Sequence, residues 1–215
     1  MKKEKILLAI MALLVVEAYG QQELNLANTL TNGKITAVNR AVSLYGAIEH
    51  AVEMDARDGD GLAIFEDTEF GTGTIEVELL GENNPGKSFI GIAFNIENDS
   101  TYEAIYFRPF NFVAEEQIRK DHMVQYIFHP EFTWRKLRAQ RTGEFENEIT
   151  QAPNPDDWFK ARIKVDDEKV TVYVKHLSEP VLTVHRLNAT TSKKIGLWTG
   201  FGSSGRFRNL ILKKK

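Results

Sequence analysis

Apolar residues in this chain recur at every second position, in short runs cut by turn-forming residues, and that period decides what the chain can build. Ile75, Val77 and Leu79 alternate with Glu76 and Glu78, and Ile90, Ile92 and Phe94 alternate with Gly91, Ala93 and Asn95. A helix brings residues three or four apart onto one face, whereas a strand brings i and i+2 there. Further runs of the strand kind lie at 48–54, 62–65, 102–108, 123–128, 158–165, 170–174, 181–187, 195–199 and 207–212. Asp58-Gly59-Asp60-Gly61, Glu82-Asn83-Asn84-Pro85-Gly86, Glu97-Asn98-Asp99-Ser100, Asp166-Asp167-Glu168 and Gly202-Ser203-Ser204-Gly205 separate them with turn chemistry. About ten to twelve strands with tight turns predict an all-β, antiparallel two-sheet sandwich. One stretch breaks the period. Trp134, Leu137 and Arg141 follow Pro130 at helical spacing, which predicts a short helix or irregular segment at 130–141. The segment 144–157, with Pro153 and Pro155, reads as a long connection.

The first twenty residues read as an export signal and not as part of the fold. Lys2, Lys3 and Lys5 precede eleven apolar residues (6–16), and Ala18 and Gly20 supply the small side chains of a cleavage site. The apolar run is too short to span a bilayer. The expectation is a secreted or periplasmic protein with no membrane span in the mature chain, and one domain over 21–215. With 215 residues and 42% hydrophobic content the chain can bury a full core. It has no cysteine, so neither a disulfide nor a thiolate site is available. A net charge of −3 gives no reason to expect nucleic acid as partner.

Side-chain parity then sorts the candidates. If Ile90, Ile92 and Phe94 face the core, Gly91, Ala93 and Asn95 face outward, and small residues there leave room above the sheet. By the same rule Tyr106, Arg108 and Gln125 face outward. If their strands are neighbours, Glu78, Asn95, Arg108 and Gln125 form one polar stripe. Glycoside cleavage needs two carboxyl groups flanking the bond, and Glu76 and Glu78, on one strand face, are the candidate pair. Glu103 falls with Ile105 and Phe107, either buried or frayed into water at the strand end. Trp134 and Trp198 are candidate stacking platforms for a sugar ring, whereas Trp158 reads as core. Arg135, Lys136, Arg138 and Arg141 form a basic run suited either to a uronate or sulfated sugar or to a solvated helix face. Asp58 and Asp60, in an acidic turn, are weak candidates for a structural calcium ion, and a plain turn is the alternative. The five histidines show no zinc spacing. Asn98-Asp99-Ser100 and Asn188-Ala189-Thr190 have the form of glycosylation sequons.

The string Lys194-Ile195-Gly196-Leu197-Trp198, followed by Phe207-Arg208-Asn209-Leu210-Ile211-Leu212, resembles the last two strands of concanavalin A-like lectin/glucanase domains. It is most similar to the secreted 3-keto-disaccharide hydrolase family, a glycosyl hydrolase-like group formerly of unknown function. Phe70-Gly71 with Thr74-Ile75-Glu76-Val77-Glu78, then Gly91-Ile92-Ala93-Phe94, then Tyr102-Glu103-Ala104-Ile105, match further strands of that family over about residues 60–212. Trp198 and Thr199 stand where the family commonly carries Gln and His, and its strand Arg falls on Asn95 or Ile96. The resemblance implies a secreted jelly roll acting on a glycan or disaccharide at a concave sheet. Glu78 would be the acid or base, Arg108, Asn95 and Gln125 would position hydroxyls, and Tyr106 or Trp198 would stack. The alternative is a non-catalytic, lectin-like binding module of the cell envelope. No cofactor beyond a possible structural calcium is implied, and the expected partner is a carbohydrate.

Overall fold

The computed structural model describes residues 20–46, 50–175, 177–187 and 191–215. All but Gly20 of the predicted export signal, together with Ile48 and the predicted sequon at 188–190, lies outside the described residues. Among the described residues fifteen strands, numbered along the chain, form two antiparallel sheets. The back sheet runs β13 (Leu182–His185), β12 (Lys169–Val174), β11 (Phe159–Val165), β6 (Gly73–Leu80), β15 (Gly205–Lys214), β4 (Ala51–Met54), β3 (Val42–Tyr45), and β1 (Gly20–Leu24) also pairs with β15. The front sheet runs β10 (Glu146–Asn147), β9 (Val124–His129), β8 (Tyr102–Phe107), β7 (Phe89–Phe94), β14 (Lys194–Gly200), β5 (Gly61–Glu69), β2 (Ile35–Val38). The all-β sandwich expected from the alternation is therefore the fold. The apolar pattern does not mark β1, β2 and β3, because apart from the buried Leu24 their residues are half-buried or exposed and carry little alternation.

Alternation works as parity predicts on the back sheet. In β11, Phe159, Ala161, Ile163 and Val165 are buried, while Lys160 and Lys164 are exposed. Val170, Val172 and Val174 do the same in β12. The two sheets meet through these faces: the Phe107 ring of β8 lies 5.2 Å from the Phe159 ring of β11, edge to face. Without cysteines, apolar contact of this kind is the main force between the sheets, at about 1.5–3 kcal/mol per fully buried large side chain.

β15 pairs with β4 through Gly205, Arg206 and Phe207 and with β1 through Leu210 to Lys214. Its register against β6 shifts between Arg208 and Ile211, with Asn209 at φ 52°. Such an irregularity accentuates the local twist and lets one strand serve two short partners in succession.

Among the described residues three short α-helices connect the strands, α1 (Leu26–Thr31), α2 (Gln117–Lys120) and α3 (Trp134–Gln140), with a single 3-10 turn at Pro109–Asn111. Among the described residues no helix is long and apolar enough to cross a membrane. α3 is the helix expected within 130–141. It starts after Thr133, whose hydroxyl accepts from the Lys136 N–H at 3.4 Å, so Pro130 lies ahead of the helix and not in its first turn. Leu137 is buried and Trp134 half-buried. The predicted long connection at 144–157 holds one short strand, β10, that extends the front sheet.

Candidate functional site

The front sheet turns Ile90, Ile92, Ile105 and Phe107 toward the back sheet. The opposite, outer face presents one row across five strands, in which Trp198, Gly91, Tyr106, Gln125 and Glu146 stand in register. Gly91 makes that row possible. A Cβ there would fall 2.0 Å from the Ile105 carbonyl oxygen and 2.8 Å from the Tyr106 Cβ. With glycine in place, the rings of Tyr106 and Trp198 close to 4.8 Å between centroids. The room expected above Gly91 is thus filled by neighbouring rings and not left for a ligand. Trp198, Tyr106 and Gln125 are fully buried.

Two polar clusters continue from the ends of this row. In the first, Arg108 leaves β8 two residues beyond Tyr106. It donates to the His122 carbonyl at 2.8 Å, to the Tyr106 hydroxyl at 2.7 Å and to Gln125 Oε1. The Tyr106 hydroxyl donates to the same Gln125 oxygen at 2.9 Å. Glu146, buried, accepts two bonds from Arg138 of α3, at 3.0 and 2.7 Å. Its Oε2 lies 2.9 Å from His122 Nδ1 and 4.0 Å from Arg108 Nη1. Burial holds Arg108 below the ordinary guanidinium range, and burial also keeps His122 below the usual imidazole range against the pull of Glu146. Burial of the Tyr106 phenol pushes it up to about 12, so it stays a hydrogen-bond donor. Gln125 Nε2 is buried without a hydrogen-bond partner. Phe89, Phe110, Ile118, Arg119 and Trp134 join Arg108, His122 and Arg138 around a pocket of about 390 Å³.

In the second cluster, the Trp198 indole donates to the Tyr102 hydroxyl at 3.2 Å, and that hydroxyl donates to Asp60 Oδ2 at 3.0 Å. The His129 ring stacks on Tyr102 at 5.2 Å, and its Nε2 lies 3.6 Å from the same carboxyl oxygen. Burial raises Asp60 above the ordinary carboxyl range, although His129, Tyr102 and Arg40 all pull it down, and burial lowers His129. Both shifts favour the uncharged forms. Asp60 Oδ1 is buried and unpartnered. A pocket of about 390 Å³ opens here, between Asp60, Tyr102, His129, Ser100, Trp134 and Phe201. Trp134 lines this pocket as well as the first one. Its ring meets Phe201 edge-on at 6.3 Å, and the Arg135 and Arg138 guanidinium groups lie 4.9 and 5.0 Å from its centroid.

Several predicted residues fall elsewhere. β6 belongs to the back sheet, so Glu76 and Glu78 are not neighbours of Arg108 or Gln125, and the four-residue stripe does not form. On the outer face of the back sheet Glu78 accepts from Arg208 at 2.7 Å. Glu76 sits between Lys160 at 2.5 Å and Lys213 at 2.6 Å. Burial raises the Glu76 carboxyl, but the two lysines outweigh it and hold it low. Asn95 leaves the face its parity predicts. It adopts φ 48°, a left-handed conformation that Asn tolerates, and its amide donates to Glu103 Oε1 at 2.7 Å. Glu103 is fully buried and not frayed: Tyr126 donates to it at 2.6 Å and Arg186 pairs with it at 2.7 Å, tying the two sheets together. Trp158 is half-buried under the Arg208 guanidinium on the outer face of the back sheet, and not in the core. The basic run disperses: Arg138 goes to Glu146, Arg141 to Glu144 at 2.7 Å, and Lys136 over the Phe132 ring.

The Asp58–Asp60 turn is closed by protein donors where a calcium ion would need free oxygens. The Asn39 amide donates to the carbonyls of Asp58 and Asp60 at 2.8 and 2.9 Å. The buried Arg40 guanidinium donates to Gly59 at 2.7 Å and to the Thr199 hydroxyl at 2.8 Å. A cation held against Arg40 has neither the ligands nor the field it needs, so the turn does not fit calcium. Among the described residues no group of three potential metal ligands occurs. Asp60 and His129, the polar pair of the second pocket, escaped notice as a pair because one lies in a turn and the other at a strand end, 69 positions apart in the sequence.

No protein-family model matches the chain, and no curated protein does. Solved structures do match, as jelly-roll lectin and glucanase folds. The carbohydrate-binding module CBM66 from Bacillus subtilis superposes with a TM-score of 0.59 at 12% identity, covering 84% of this chain and 96% of that one. The Bacillus licheniformis β-glucanase does so at 0.56 and 14%, covering 93% and 100%. The exoplasmic/lumenal domain of VIP36, in a form with Ca²⁺ and Man3GlcNAc bound, gives 0.55 and 12%, covering 86% and 85%. These likenesses define the class of fold, a concanavalin A-like sandwich. That class contains both lectins and glycosidases.

Proposed function

We propose that this is an exported carbohydrate-binding protein, and that the sugar sits on the outer face of the front sheet beside Trp134. One observation carries the reading. Trp134 and Phe201 form an aromatic wall opposite a hydrogen-bonding set of Asp60, His129 and Tyr102, around an opening in the size range of small-ligand sites. A sugar ring has an apolar face for stacking and hydroxyls for a mixed donor and acceptor set, and this wall and set complement both. Asp60 Oδ1, buried and unpartnered, is an acceptor waiting for a hydroxyl. The sugar-binding neighbours support the reading by shared fold, and the export signal supports it by location. The 3-keto-disaccharide hydrolase resemblance rests on the sequence strings.

Binding without cleavage is favoured over hydrolysis. Cleavage needs two carboxyl groups flanking one bond. The carboxyl groups at the pocket are Asp60, half-buried and bonded to Tyr102, and Asp99 on an exposed turn. Glu146 on the same face is clamped by Arg138, and Glu76 and Glu78 lie on the other sheet in ion pairs. The test is a glycan array, followed by calorimetry and a reducing-end assay on the best ligand. The reading expects binding, no new reducing ends, and a loss on the order of tenfold or more for Trp134→Ala. Unchanged affinity in Trp134→Ala would refute the site, and release of reducing ends abolished by Asp60→Asn would replace binding with hydrolysis.

A further inference from the structure

The pocket around Arg108 differs in charge from the pocket around Asp60, although Trp134 lines both. Arg108 and Arg138 share one carboxylate, Glu146, and Arg119 stands at the same pocket with Glu116 3.9 Å away at its exposed side. His122, the remaining titratable group there, is held toward its neutral form. The pocket therefore holds more positive than negative charge. Its hydrogen-bond balance tilts the same way. Arg108, Arg119, Arg138 and the Asn111 amide bring donors to its lining. The Glu146 carboxylate, Gln125 Oε1 and the His122 carbonyl that accept from them lie beneath, and the buried Gln125 Nε2 there has no hydrogen-bond partner. Buried charge calls for an opposite charge, and a planar guanidinium matches a carboxylate best. The remaining wall is apolar: Phe89, Phe110, Ile118 and Trp134.

We infer that this pocket takes the carboxylate of a uronic acid residue, so that the ligand of the front sheet is an acidic oligosaccharide bridging the two sides of Trp134. The inference rests on the carbohydrate reading and adds the ligand's charge. The uronate ring lies on the apolar wall, and its carboxylate supplies a second counter-charge to two arginines that otherwise share the single carboxylate of Glu146. Arg119 extends the positive rim toward solvent, where its side chain is half exposed.

The experiment is calorimetric titration of the whole protein with oligogalacturonides and with the same oligomers methyl-esterified, for the wild type, Arg138→Gln and Arg119→Glu. The acid form is expected to bind at least tenfold more tightly than the ester. Both variants are expected to erase most of that difference, read as the ratio of acid to ester affinity within each variant. Arg119 is exposed, so Arg119→Glu reads the charge effect even if Arg138→Gln, which frees Glu146, does not fold. Equal affinity for acid and ester in the wild type overturns the inference and leaves the sugar reading standing. A preference for the acid form that neither folded variant reduces also overturns it, because the carboxylate then binds elsewhere. Binding of neither form, together with an empty glycan array, removes the sugar reading and this inference with it.

Discussion

The outer faces of the two sheets obey the same alternation and end up as different surfaces. On the back sheet the outward residues stay half in water and pair across strands: Arg206 with Glu53 at 2.9 Å, Arg208 with Glu78 at 2.7 Å, Lys213 with Glu76 at 2.6 Å. Aromatic rings there are capped by arginines, Tyr45 by Arg206 and Trp158 by Arg208. On the front sheet the outward residues are roofed by α3 and the neighbouring loops, so Trp198, Tyr106, Gln125 and Arg108 are nearly or fully buried. Parity says which way a side chain points, and only what covers the face says whether it meets water. A polar group in water costs little, and the same group under a roof must be paired or be there for a ligand.

The largest effect that should separate the faces is on stability. Trp198→Ala removes a fully buried indole from the front row and is expected to cost about 3–5 kcal/mol in denaturant unfolding, whereas Trp158→Ala on the back sheet should cost far less. Similar losses at both positions would break the distinction. Glu146→Gln leaves the buried Arg108 without its carboxylate and should cost about 3 kcal/mol.

Acidity gives the next contrast. Burial depresses both His122 and His129, so each contributes stability that is fully present above the unfolded value of about 6.5 and is lost as pH falls through the folded value. Unfolding free energy should therefore decline below about pH 6.5, and His122→Gln or His129→Gln should each flatten the decline. A decline unchanged in both variants would mean that neither histidine is held neutral by the fold. The smallest effect belongs to the back sheet. Glu78→Gln should shift stability by about 1 kcal/mol or less and leave sugar affinity unchanged, as for a partly exposed ion pair.

The sandwich was legible because alternation is local. Ile75, Val77 and Leu79, and likewise Ile90, Ile92 and Phe94, are buried as their period requires. Sheet membership was not legible, since strand partners are set by contacts far apart in sequence. Nothing in Glu76 or Glu78 tells that β6 joins β11 and β15 while β7 crosses to the other sheet. The rows of the site were half legible. Tyr106, Gln125 and Trp198 share the face their parity predicts, but Asn95 reverses its own by taking a positive φ, and the Glu97-Asn98-Asp99-Ser100 turn that follows it was the one local warning. Asp60 was read as a turn residue and a weak candidate calcium ligand. Its pairing with Tyr102 and His129 depends on Arg40 and Asn39, residues from before β3, holding the turn against the front sheet.

The three tryptophans divide these surfaces among them, so their fluorescence reads the account most directly. Trp134 stands at the pocket mouths, Trp198 is buried in the front row, and Trp158 lies on the back sheet. Titrating an oligosaccharide ligand into Trp134→Phe and Trp158→Phe should abolish most of the emission change in the first and preserve it in the second. A change that survives in Trp134→Phe and disappears in Trp158→Phe would put the sugar on the back sheet and contradict the account.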